Sequence, residues 1–170
     1  MRYLIVGGLV AACLSASASF AQGGAAQGGI VRTGPAEAAI AATVALPADA
    51  KLVYVSGTVP DPIKAEAPPG SAERFGDTEA QTRSVLAKIE GLLKTQELGM
   101  GDVVMMRVFL VAPPGQARMD FAGMMRGYRA FYGTPQQPLK TARSTMQVAG
   151  LVDPDWLVER AVLSGCCGVP

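Results

Sequence analysis

The sequence predicts an α+β domain, two layers deep, in which two helices cover one face of a sheet in the order β-β-α-β-α-β-β. Three observations predict it. Apolar residues recur at helical spacing in two separate stretches, 78–98 and 119–132, and such spacing gives a helix one packed side. Short runs rich in β-branched and aromatic residues stand before, between and after those stretches, as strands do. Finally, a chain of 170 residues with 49% apolar and 17% charged residues can bury one core and argues against disorder.

The elements follow in order. Gln22 to Gly29 is a Gly/Ala/Gln run that reads as a flexible leader, extended to residue 33, with a domain over 34–165 and a tail over 166–170. Glu37 to Leu46 is a weak strand, and Lys51 to Ser56 (KLVYVS) a clearer one after the turn Pro47-Ala-Asp-Ala50. Gly57 to Gly76 is rich in proline and glycine and reads as a long loop, of the sort that is often functional. Thr78-Glu-Ala-Gln81 fits a capping box, with Val85, Leu86, Ile89, Leu92 and Leu93 behind it and Gly99 as the stop. Asp102 to Val111 is a near-continuous apolar strand. Met119 to Tyr132 is the second helix. Thr141 to Ala149 and Trp156 to Ser164 close the domain, joined through the turn Val152-Asp-Pro-Asp155, which suits an antiparallel hairpin. Helices cover one sheet face only, yet the strands at 103–111 and 156–163 are apolar on both sides; a partner subunit is the natural cover for the other face.

The N-terminus predicts export. Arg2, an apolar run from Tyr3 to Cys13 and Ser19-Phe20-Ala21 before Gln22 have the layout of a signal peptide of residues 1–21, too short in its apolar part to remain as a membrane span. This implies a periplasmic or secreted protein without a membrane anchor; lipidation at Cys13 is the lesser alternative. Cys166 and Cys167 are adjacent, a spacing that strains a mutual disulfide, and read as incidental thiols in the tail.

Composition removes whole chemistries. The chain has no histidine, so Ser-His-Asp triads, Cys-His dyads and HExxH zinc sites are excluded. No metal or organic cofactor is implied. Fifteen basic and fourteen acidic residues give a net charge of +1, with no basic run that would mark a nucleic-acid surface.

What remains points to a carboxylate site. In the 141–149 strand Arg143, Thr145 and Gln147 alternate with Ser144, Met146 and Val148. The latter set reads as the packed side, and Arg143 as a group that meets water or an anion. Arginine grips a carboxylate bidentately. In a 141–164 hairpin Glu159 stands near Arg143, able to orient water or move a proton. An ordinary salt bridge between the two is the bland alternative. Asp153 and Asp155 read as turn residues, the methionines and Tyr128 as core.

Val53-Tyr-Val-Ser-Gly-Thr-Val-Pro60, Gly101-Asp-Val-Val104, Tyr128-Arg-Ala-Phe-Tyr132, Ala142-Arg-Ser-Thr145 and Leu157-Val-Glu159, in this order, resemble the RidA family, the reactive intermediate deaminases also called YjgF or endoribonuclease L-PSP. The resemblance runs from about Gly34 to Gly165. It implies a chorismate-mutase-like fold, a homotrimer with clefts between subunits, and hydrolysis of 2-imino or 2-enamino acids to 2-keto acids and ammonia. It also implies Arg143 as carboxylate clamp, Glu159 as the residue that positions water, and Ser56, Gly57 and Thr145 as pocket lining. The alternative is a non-catalytic trimer that binds a small carboxylate or a protein. Thr58, Met125 and Thr145 stand where that family often has glutamine, asparagine and cysteine.

Overall fold

The computed structural model describes residues 29–166. The signal segment, Cys13, most of the leader and Cys167 lie outside them. Strands β1 (Val31–Thr33) and β2 (Thr43–Ala45) form a small antiparallel ribbon. Regular structure therefore begins inside the stretch assigned to the leader, and the strand expected over 37–46 is confined to three residues. Arg32 hooks this ribbon onto the domain by donating to the Gly101 carbonyl at 2.7 Å.

The main sheet holds β3 (Lys51–Thr58), β4 (Val103–Leu110), β5 (Ala142–Gln147) and β6 (Val158–Cys166) in the order β3-β6-β4-β5. Strand β6 runs antiparallel to both β3 and β4, while β5 pairs in parallel with β4 alone. The expected 141–164 hairpin is thus absent. The linker at 150–155 carries the chain past β4, and β6 enters between β3 and β4. Its composition explains the position: Val158, Val162 and Ser164 are buried on one side, while Ala161 and Leu163 are half-buried on the other. A strand apolar on both sides belongs in the middle of a sheet. Cys166 is the last residue of β6, opposite Lys51, rather than part of a loose tail.

Helices α2 (Thr78–Lys94) and α3 (Phe121–Tyr128) lie on one face, and the short helix α1 (Ala72–Phe75) breaks the long loop. The α2 cap is Asp77, not Thr78: its carboxylate accepts from the Ala80 N–H at 2.8 Å. Gln81, expected to close a capping box, is instead buried. Its amide donates to the Asp155 carbonyl at 3.0 Å, and its oxygen accepts from the Leu157 N–H at 2.7 Å. These bonds fasten α2 to the entry of β6. Helix α2 ends at Lys94, short of Gly99. Leu92, expected in the core, is 45% exposed, whereas Val85, Leu86, Ile89 and Leu93 are sealed.

Helix α3 approaches α2 closely because Gly127 has no side chain. A Cβ there would stand 2.5 Å from the Thr82 methyl carbon and 3.0 Å from the Glu79 carbonyl. Across the same seam Glu79 accepts a hydrogen bond from Arg126, and within α2 one from Arg83; together they hold its carboxyl below the usual range. The core between helices and sheet contains Met106, Val108, Leu110, Met124, Tyr128, Val158 and Val162. The opposite sheet face is open: Tyr54 is 75% exposed, and Leu52, Arg107 and Met146 are also exposed.

Candidate functional site

Register assigns each candidate residue to a face, since cross-strand partners point the same way. One row runs Val55–Val162–Met106–Arg143, and the next runs Thr58–Arg160–Val108–Thr145. Met106 and Val108 are core residues under the helices. Arg143 and Thr145 therefore lie on the helix side. Ser144 and Met146 are exposed, so the expected packed side of this strand is reversed. Glu159 pairs with Phe109 and lies on the open side. Within one chain, Arg143 and Glu159 are separated by β4, by three positions of register and by the sheet itself. The expected Arg143–Glu159 contact does not form.

The candidates divide into two groups. On the open side Ser56 and Gly57 occupy a bulge, where β3 spends three steps between Val55 and Thr58 while β6 spends two. Such an extra residue re-aims the chain locally. The Glu159 carboxylate lies directly over Gly57: a Cβ at that glycine would meet its Oε1 at 2.2 Å. A side chain at this position would push the Glu159 carboxylate out of its present place.

On the helix side Arg143 is half-buried. Its guanidinium stacks on the Tyr128 ring at 4.5 Å from the centroid and stands 5.9 Å from that of Phe121. Its Nη2 donates to the Met125 sulfur at 3.2 Å, and its Nη1 is buried without a partner. The Thr145 hydroxyl is likewise buried and unbonded. Burial lowers the Arg143 pKa, and none of the ion pairs seen among the described residues includes it. A guanidinium held by an aromatic face and a thioether keeps its charge available to an incoming carboxylate.

Sequence reasoning missed two members of this side. Tyr128, read only as core, is the platform under Arg143; it stacks on Tyr132 at 4.7 Å, and burial pushes its pKa up to about 12. Arg160, fully buried, went unnoticed beside Glu159. Its signal was available in the two-residue period of β6, which places Arg160 between Val158 and Val162 on the core side.

The 57–76 loop packs elsewhere. Asp155 accepts from the Gly70 N–H at 2.9 Å, Arg74 pairs with Asp153 and Asp155, and Phe75 meets Trp156 edge-on at 6.4 Å. The two aspartates are thus turn residues that also tether the loop. Among the described residues no group of acidic or cysteine side chains is arranged to hold a metal ion. A groove of about 850 Å³ beside Glu90, Met100, Phe131 and Gln137 touches neither candidate group.

Residues 19–164 match the family described as Endoribonuclease L-PSP. Among solved structures, an uncharacterized protein from Pseudomonas aeruginosa is 26% identical, with a TM-score of 0.52 over 81% of this chain and 98% of that one. The YjgF gene product of E. coli is 25% identical, with a TM-score of 0.52 over 68% and 84%. E. coli TdcF with bound serine is 25% identical, with a TM-score of 0.51 over 71% and 87%.

Proposed function

The chain belongs to the Endoribonuclease L-PSP family, also known as YjgF or RidA, and from that premise we propose that it hydrolyses 2-imino or 2-enamino acids to 2-keto acids and ammonia. The observation that carries this reading is Arg143: a half-buried guanidinium with a buried, unbonded Nη1 and no carboxylate paired to it. It suits the carboxylate of a small amino-acid-like substrate. The serine bound by TdcF is a molecule of that kind.

The chemistry asks little of the protein. Arg143 holds the substrate carboxylate. Glu159 orients a water and accepts its proton as the oxygen attacks the imine carbon. That proton passes to nitrogen to give a carbinolamine, whose hydroxyl proton then moves to the amine as the C–N bond breaks, releasing ammonia and leaving the keto group. Positioning and one carboxylate account for these steps. Because Arg143 and Glu159 lie on opposite faces of one sheet, the working site needs two copies, with the Arg143 side of one facing the Ser56–Gly57–Glu159 side of the next. A homotrimer with three such clefts also covers the exposed face around Leu52, Tyr54 and Met146. The signal-like residues 1–21 suit an activity outside the cytoplasm.

Met125 favours a second reading. Its sulfur rests on Arg143, where it narrows the approach, and a trimer that binds carboxylates without turnover suits that arrangement. RNA cleavage has less support, since the chain lacks histidine and carries a net charge of only +1.

The test uses the chain from Gln22 onward, with imino acids generated in situ by an amino-acid oxidase. Loss of imine accelerated by the wild type, and not by Arg143→Ala, is the expected result. No acceleration over buffer with several side chains would overturn turnover and leave the binding reading.

A further inference from the structure

Arg160 is the least compensated charge among the described residues. It has no exposed surface. Its Nη1 donates to the Met106 sulfur at 3.3 Å, while Nε and Nη2 are buried without partners. No ion pair seen among the described residues includes it. A lone buried charge is costly, so its presence between Val158 and Val162 on the core side of β6 asks for a reason.

The reason lies in what it shares with Arg143. The Arg160 guanidinium carbon is 6.0 Å from the centroid of the Tyr128 ring, and that of Arg143 is 4.5 Å from it. The two cations converge on one aromatic ring from strands β5 and β6, with no anion between them. Tyr132 stacks on the same ring and adds no charge, because burial keeps its phenol protonated.

We propose that Arg160 is a specificity-determining charge beneath the Arg143 clamp, and that it selects dicarboxylate ligands, including the imines of acidic amino acids, over monocarboxylates. It acts through its field and not by contact, since ligand does not reach a sealed side chain. This inference rests on Arg143 being the carboxylate clamp. A unit charge roughly 12 Å from the bound anion, at an effective dielectric of about 20, strengthens binding by about tenfold for each negative charge on the ligand. A dianion gains that factor twice and a monoanion once.

The experiment measures succinate and butyrate binding by calorimetric titration to the wild type and to Arg160→Met, a neutral side chain of similar volume, with Arg160→Gln as a second neutral replacement. The wild type is expected to prefer succinate about tenfold more than either variant does. Equal affinities in the wild type overturn the inference without any variant. So does a succinate preference that survives both replacements. Imine turnover is followed in parallel, so the two readings fail separately. Turnover of a monocarboxylate imine with no succinate preference removes the charge-selection reading alone. No turnover with the preference intact removes the deaminase reading alone.

Discussion

The two faces of the sheet solve opposite problems. The helix side is largely buried, yet it holds two arginines and the Thr145, Tyr132 and Ser164 hydroxyls with buried polar atoms left without partners. The open side is accessible, and its one candidate carboxylate needs nothing more than a glycine beneath it. Positive charge is kept where the effective dielectric is low and its field reaches far, while Glu159, the proposed proton-transfer group, stays near water. Packing and candidate chemistry are therefore divided between faces, and the proposed site joins the halves across two copies.

The sharpest way to break that division is on the helix side. Arg143→Ala leaves an incoming carboxylate unpaired, which costs about 2–5 kcal/mol; imine hydrolysis is expected to fall by 30-fold to several thousand-fold on the conversion of 1.4 kcal/mol to tenfold. Steady-state kinetics with the fold checked by circular dichroism would measure it, and a fall of less than threefold would remove Arg143 from the site. On the open side, Gly57→Val drives a side chain into Glu159. Activity is expected to drop about 100-fold, while urea unfolding shifts by no more than about 1–3 kcal/mol, the usual cost of overpacking.

Two stability measurements sharpen the contrast further. Gly127→Ala presses a methyl onto Thr82 and the Glu79 carbonyl, and is expected to destabilise by about 1–3 kcal/mol in denaturant titration. Arg160→Met should act in the other direction, by a neutral to roughly 4 kcal/mol stabilising effect at pH 7, because it replaces an unpaired buried charge with an apolar side chain. The pH dependence has a definite sign. Burial, followed by the nearby Arg143, lowers the Arg160 pKa to about 9 from 12.5, so between those values the unfolded chain binds more protons than the folded one. The burial penalty is then complete below pH 9 and is relieved above it. The advantage of Arg160→Met over wild type should shrink between pH 8 and 10; an advantage that grows over that range would contradict the lowered pKa.

Much of the architecture was legible because it depends on local periodicity. The apolar spacing of Val85, Leu86, Ile89 and Leu93 defines α2, and the near-continuous apolar run at 103–110 defines β4. Strand pairing was less legible. The turn residues Val152 to Asp155 look like a hairpin connection, but the neighbours of β6 are settled by how much surface it must bury, which is a property of the whole sheet. The site was half legible for the same reason. Arg143, Glu159, Ser56 and Gly57 were identifiable as candidates. Which face each occupies depends on register, and register placed Arg143 under α3. Arg160 is the converse case: the two-residue period of β6 alone assigns it to the core side, opposite in facing to Glu159.

The bulge at Ser56 and Gly57 has a consequence for chain length. Pairing on either side of it, Val55 with Val162 and Thr58 with Arg160, needs one residue between them on each strand, and β3 carries two. Removing Gly57 would let the strand close into regular pairing without changing which of its neighbours face the core. Descendants or engineered variants one residue shorter here should fold normally and lose their chemistry, so an indel at this position separates the architecture from the activity in a single step.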